Sequence, residues 1–174
     1  MTWAVWLTGP PASGKSTVAR ALSDALRSRG VRAVVFESDA LRAILTPDAT
    51  YEPGERGRFY AEVADLAALL VGQGVPVIVD ATAPRRAHRE RLRDAVRDFL
   101  EVLVATPREI CERRDPKGLY ARARGGDAPH LPGATEAYEP PANPGVVVSG
   151  TAPPEESAQT ILRALEARVA LAAN

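Results

Sequence analysis

The chain has 174 residues, 45% of them apolar and 25% charged, with 22 basic and 22 acidic side chains and a net charge of zero. That length supports a single domain with a sizeable core, and the composition is that of an ordinary globular protein. The balanced charge argues against a general polyanion binder, and a lone cysteine, Cys111, excludes an internal disulfide.

The chain opens on an apolar run, Trp3 to Leu7, which predicts a strand. Gly9 to Ser16 follow as GPPASGKS. This is the full G-x-x-x-x-G-K-S pattern, in which glycines let backbone N–H groups converge on phosphate oxygens. Lys15 is placed to reach the β- and γ-phosphates, and the Ser16 hydroxyl to hold Mg²⁺. Lys15 to Arg29 predicts a helix, with Val18, Leu22 and Leu26 on one face and Gly30 as its stop. Such a helix aims its positive end at the same anion. Val31 to Phe36 predicts a second strand. Ala40 to Leu45 predicts a short helix capped by Asp39. Thr46 to Gly57, with Pro47, Pro53 and Gly54, reads as a loop. Arg58 to Val71 predicts a helix, Val75 to Val79 a strand ending at Asp80, and Pro84 to about Arg97 a further helix. Phe99 to Ala105 predicts a strand, and Pro107 opens another helix in which Cys111 is a small packing residue. Asp115 to Pro144 is too long for an ordinary connection and reads as a lid. Val146 to Val148 predicts a last strand, and Glu155 to Ala172 a closing helix with Ile161, Leu165 and Val169 in register.

This alternation predicts an α/β fold with three layers, α/β/α: a parallel sheet between helices, as one domain over residues 1–174 with a lid near 115–144. Ligands of such sheets sit beyond the carboxyl ends of the strands. The loops there hold the candidate chemistry. Asp39, at the end of the second strand, is placed to orient or deprotonate an acceptor hydroxyl, with Glu37 a lesser candidate. Asp80 closes the run Val77-Ile78-Val79, the form of a Walker B element that helps hold Mg²⁺. Arg42 and Arg56 suit an anionic acceptor, and Arg42 lies one helical turn past Asp39 on the same side. Arg114 and Lys117 begin the lid, where positive charge can close over phosphates. Arg85, Arg86, Arg89, Arg91, Arg93 and Arg97 read as a solvated helix face diluted by Glu90, Asp94 and Asp98, so no nucleic-acid partner is expected. His88 and His130 have no companions at metal-ligand spacing. No apolar run is long enough to span a bilayer and Met1-Thr2 lacks a basic leader, so no membrane partner and a cytoplasmic location are expected.

VWLTGPPASGKSTVARAL, ESDALR, ATPREICERRDPKGLYARARGG and YEPPANP followed by VVVSG together resemble the adenylyl-sulfate kinases. The third segment is the most specific, because no general phosphate-loop argument predicts it. The resemblance runs from about Trp3 to Leu165 and implies a phosphate-loop kinase fold, ATP with Mg²⁺, and often a homodimer. It implies that Gly9, Pro10, Pro11, Ala12, Ser13, Gly14, Lys15, Ser16 and Thr17 hold the ATP phosphates. It implies the catalytic aspartate at Asp39, substrate arginines at Arg42 and Arg56, an aromatic that stacks on the acceptor at Tyr51, and the start of the lid at Arg114 to Tyr120. The acceptor side departs from the family. Its E-N-I-R-R is Arg58-Phe59-Tyr60-Ala61-Glu62 here, its S-P-Y-R is Ala83-Pro84-Arg85-Arg86, and its N-F-T-G is His130-Leu131-Pro132-Gly133. Asp80 has no acidic counterpart in the usual family pattern.

The expected activity is transfer of the γ-phosphate of ATP to the 3′-hydroxyl of adenosine 5′-phosphosulfate. Another small hydroxyl acceptor (nucleotide, nucleoside or antibiotic) and a nucleotide-dependent binding module stand as alternatives. A polynucleotide end-kinase rests only on the Arg85 to Arg97 helix, and no N-K-x-D guanine motif is present.

Overall fold

The structure is a computed structural model, and it describes residues 2–128 and 130–168. Five strands form one parallel sheet: β1 (Ala4–Thr8), β2 (Val34–Glu37), β3 (Val77–Asp80), β4 (Phe99–Ala105) and β5 (Val146–Ser149), in the order β2-β3-β1-β4-β5. Seven helices connect and flank them: α1 (Lys15–Arg27), α2 (Ser38–Leu45), α3 (Pro53–Gly72), α4 (Arg86–Ala95), α5 (Arg108–Arg114), α6 (Leu119–Arg124) and α7 (Pro154–Arg168). The expected α/β architecture is present.

A strand buried on both faces reads as a continuous apolar run, because successive side chains point to opposite sides. β1 shows this residue by residue. Trp3, Val5 and Leu7 face the core made with α1 and α7, where Leu22, Leu26, Ile161 and Leu165 are fully buried. Ala4 and Trp6 face the opposite core, with Phe59 and Val63 of α3 and Leu92 of α4. The Trp6 indole N–H donates to the Ala81 carbonyl at 3.0 Å, so the largest side chain in that core leaves no polar atom unpaired. β1 lies between β3 and β4, which puts the loop after it at the centre of the carboxyl edge.

Several boundaries differ from expectation. β2 starts at Val34, because the Val31 N–H is spent on the Leu26 carbonyl closing α1. α3 starts at Pro53, five residues early. Proline there needs no backbone donor and suits the first helical turn, so the Pro-Gly pair opens a helix. β3 runs Val77–Asp80, and α4 begins at Arg86 with Arg85 as its cap, leaving Pro84 outside. α2 begins at Ser38, so Asp39 lies inside the helix and is not its cap. The segment 115–144, expected to act as a lid and so called below, contains α6, and its Tyr120 and Leu131 share a small core with Cys111 of α5. Cys111 is the packing residue expected. α7 is described to Arg168; the expected extension through Val169 to Ala172 lies outside the described residues.

The arginine-rich face of α4 requires the largest correction. Arg89 is fully buried and paired with Glu101 of β4 at 2.6 Å, while Arg93 meets the second oxygen of the same carboxylate. Arg89 also donates to the Ala83 carbonyl and, at 2.7 Å, to the Glu139 carbonyl. One buried guanidinium thus ties together α4, β4, the loop after β3 and the end of the lid. The sequence pattern hid it, because Glu101 interrupts a strand and not the helix that carries Arg89.

Candidate active site

The phosphate-binding loop is held in shape by backbone contacts that only certain residues permit. Gly9 and Gly14 have φ of 155° and 101°, and Ala12 also lies in the left-handed region at 62°. A Cβ at Gly9 would stand 2.7 Å from the Val104 carbonyl oxygen. Gly150, after β5, packs against the loop so closely that a Cβ there would overlap the Ser13 carbonyl oxygen. Thr106 donates to that same carbonyl at 2.8 Å, and Tyr120 of the lid donates to the Pro11 carbonyl at 3.0 Å. The ends of β4 and β5 therefore brace the loop from behind. Sequence reasoning gave Gly150 and Thr106 no role of their own, although both lie in segments that carry the family resemblance.

Lys15 opens α1 and is almost fully buried. Its ammonium donates to the Gly9 and Pro10 carbonyls at 3.0 and 2.9 Å. Burial pulls its pKa from the usual lysine value down to about 8, against the opposing pull of the Asp80 carboxylate. Asp80 closes β3 in register with Leu7 of β1 and Glu37 of β2. Burial pushes its carboxyl up, while Lys15 and a hydrogen bond from Ser16 act the other way. A hydroxyl and a carboxylate meeting beside the lysine form a donor set that suits Mg²⁺ carried in on a triphosphate. Among the described residues no group of three His, Cys, Asp or Glu could hold a metal on its own.

These groups line one cleft of about 550 Å³. Its floor is Pro11, Ala12 and Gly14 to Val18; one wall is Glu37 to Asp39 with Asp80 and Thr82. Arg114 to Lys117 of the lid and Gly150 to Ala152 complete it. Asp39 is exposed and forms an ion pair with Lys117 across the cleft. Asp39, Lys15, Ser16, Thr17, Asp80, Arg114 and Lys117 are thus brought together.

The expected acceptor residues lie elsewhere. Arg42 does not share the cleft with Asp39. It is buried, with its guanidinium 3.9 Å above the Phe59 ring and 4.8 Å from the Tyr51 ring. Glu55 holds it at 2.9 Å and accepts the Tyr51 N–H with its other oxygen at 3.0 Å. Tyr51 is half-exposed and has φ of 61°, a strained conformation for a residue with a side chain. Arg56 is buried against the lid, beside Glu136 and the His130 carbonyl. Leu131 packs inside the lid core and offers nothing to an acceptor. His88 stacks on Tyr60 with ring centres 4.8 Å apart, and burial beside Arg85 and Arg89 pulls its pKa down to about 4. Glu55 and Glu136 were invisible in the sequence because ordinary charged surface positions look the same.

The profile of the family described as Adenylylsulphate kinase matches residues 1–149. An adenylyl-sulfate kinase of Paraburkholderia xenovorans is 41% identical over 138 residues, covering 79% of this chain and 77% of that protein. A probable adenylyl-sulfate kinase of Synechocystis is 39% identical over 142 residues, covering 82% and 80%. The structure of the Mycobacterium tuberculosis APS kinase in complex with AMPPNP and APS superposes with a TM-score of 0.89 at 38% identity, covering 95% of this chain and 98% of that one. With its phosphate-binding loop, its parallel sheet and these relatives, the chain belongs to the adenylylsulphate kinase family of ATP-dependent kinases.

Proposed function

We propose that the protein transfers the γ-phosphate of ATP to the 3′-hydroxyl of adenosine 5′-phosphosulfate. The observation that carries this reading is the single cleft in which Lys15, Ser16, Asp39, Arg114 and Lys117 converge. The loop amides and the free N–H groups of the first turn of α1 bind the β- and γ-phosphates. Lys15 leaves the Gly9 and Pro10 carbonyls for the phosphate oxygens, a stronger partner for a buried cation. Ser16 and Asp80 would hold Mg²⁺, which neutralises charge on the transferring group when bound. Asp39 accepts the proton of the acceptor hydroxyl, and Arg114 and Lys117 offset the charge that builds on the leaving phosphate. Tyr51 supplies a stacking face for adenine, while Arg42 and Arg56 grip the phosphosulfate.

Incubation with ATP and adenosine 5′-phosphosulfate, followed by chromatography, tests the reading. The expected result is a 3′-phosphorylated product that vanishes with Asp39→Asn while ATP binding persists. Absence of product, together with turnover of another hydroxyl, would overturn the acceptor. A different small hydroxyl acceptor is the second reading. The observation favouring it is Phe59, fully buried under Arg42, at the position where the resemblance described above implies an asparagine.

A further inference from the structure

Arg56 is 4% exposed. Its Nη2 donates to the His130 carbonyl at 2.6 Å. Its Nη1 stands 3.0 Å from Oε2 of Glu136, yet the two are not aligned for a hydrogen bond. Nη1, Nε and the Glu136 oxygen are all buried without a hydrogen-bond partner among the described residues. The opposite charges meet, but the donors remain unused. A planar guanidinium with two idle nitrogens is matched by the oxygens of a sulfate or phosphate group, which can take up both charge and donors. Glu136 is the partner free to leave. Its side chain keeps 16% exposure against 5% for Arg56, and it sits in a tight turn closed by Gly133 N–H to Glu136 carbonyl (2.7 Å) and Glu136 N–H to Leu131 carbonyl (2.9 Å).

We propose that Glu136 competes with the acceptor for Arg56: its carboxylate occupies the anion position there, and an acceptor carrying its own sulfate- or phosphate-type group must displace it to reach the guanidinium. A neutral acceptor leaves the pair intact and draws nothing from Arg56. The inference rests on the acceptor-side role given to Arg56 above. It adds that a residue of the lid stands in for the acceptor's anion until the acceptor arrives.

Glu136→Gln, isosteric and uncharged, removes the competitor and leaves the turn in place. Its KM for adenosine 5′-phosphosulfate should fall at least threefold, with KM for adenosine, which has the same 3′-hydroxyl and no anion, unchanged. A second comparison does not depend on which acceptor is used. With a saturating unreactive ATP analogue filling the phosphate loop, sodium sulfate replaces sodium chloride at constant ionic strength while Tm is followed. The sulfate-dependent rise should be larger in Glu136→Gln than in the parent, intermediate in Glu136→Asp, and reduced in Arg56→Gln to the general stabilisation that sulfate gives any folded chain. If the parent does not turn over adenosine 5′-phosphosulfate, the acceptor reading fails, and the sulfate series still decides this one. Equal sulfate shifts in parent and Glu136→Gln, or a KM for the anionic acceptor that rises in the variant, would overturn the role of Glu136.

Discussion

Around Gly9 to Thr17 the backbone forms the site, and its amides and side chains border the cleft proposed for the triphosphate. Around Arg42 and Arg56 the side chains are already bonded to one another: Arg42 to Glu55 between two aromatic rings, Arg56 to the lid. The donor half is thus preformed in its backbone, with only Lys15 and the exposed Asp39–Lys117 pair to be released, whereas the acceptor half is self-satisfied by buried ion pairs. Preformed sites hold backbone dipoles in place before the ligand comes, so they lose little on binding. A self-satisfied site must exchange internal ion pairs for ligand contacts, so its selectivity depends on what the ligand can displace.

The contrast can be broken at several points. Lys15→Ala should reduce phosphoryl transfer by about 10²–10⁴-fold, because the positive charge on the transferring group is lost; a reduction below tenfold in a single-turnover assay would mean that the loop amides suffice. Arg89→Met should lower stability by about 3–5 kcal/mol in denaturant unfolding, since Glu101 is left buried with Arg93 alone. Gly150→Ala pushes on the Ser13 carbonyl and should cost about 1–3 kcal/mol, chiefly as weaker ATP binding in calorimetry. The same change should leave acceptor binding alone if the halves are separate.

Two pH effects are smaller. His88 has a folded pKa of about 4, below its ordinary 6.5, so the unfolded chain takes up the proton first. Its contribution is complete above pH 6.5 and lost as pH falls through 4; with the ring partly open to solvent we expect a loss of roughly 1–2 kcal/mol. His88→Phe, which keeps the stack on Tyr60, should flatten the acid limb of Tm against pH. Lys15 titrates near 8 when free of ligand, and a bound triphosphate raises its pKa again. ATP binding therefore takes up a proton above pH 8, and affinity should fall by up to about tenfold per pH unit there. The opposite sign applies to folding. The unfolded chain holds that proton more tightly between about 8 and the ordinary lysine value, so the cost of burying Lys15 charged fades as pH rises through this range.

The donor side was legible because its chemistry is local. Gly9 to Ser16 carry the nest, the lysine and the hydroxyl in one run, and the alternation of apolar segments placed that run at the end of a strand, which the structure sets in the middle of the sheet. Asp80 could be found as the carboxylate closing a strand, and Asp39 as one just past the end of another, inside the helix that follows. Boundaries slipped where a residue has two readings: Pro53 ends one pattern and opens a helix, and Arg86 to Ala95 looks fully solvated although Arg89 is the most buried charge among the described residues. The acceptor side was hidden because it is made of long-range pairs. Glu55 and Glu136 acquire meaning only when folding sets them against Arg42 and Arg56, and Leu131 turns inward because Cys111 and Tyr120 make a core inside the lid. Gly150 closes the VVVSG segment, but its role follows only from the approach of β5 to the loop after β1.

The separation of the two halves is tested most directly by steady-state kinetics of Arg42→Lys with ATP and adenosine 5′-phosphosulfate. The lysine keeps the charge facing Glu55 but loses the planar fork and its stacking on Phe59 and Tyr51. The KM for adenosine 5′-phosphosulfate should rise by about tenfold or more, as for a lost hydrogen bond to a charged group, with the KM for ATP within twofold of the parent. A parallel rise in the KM for ATP would contradict a donor site that stands independently of the acceptor arginines.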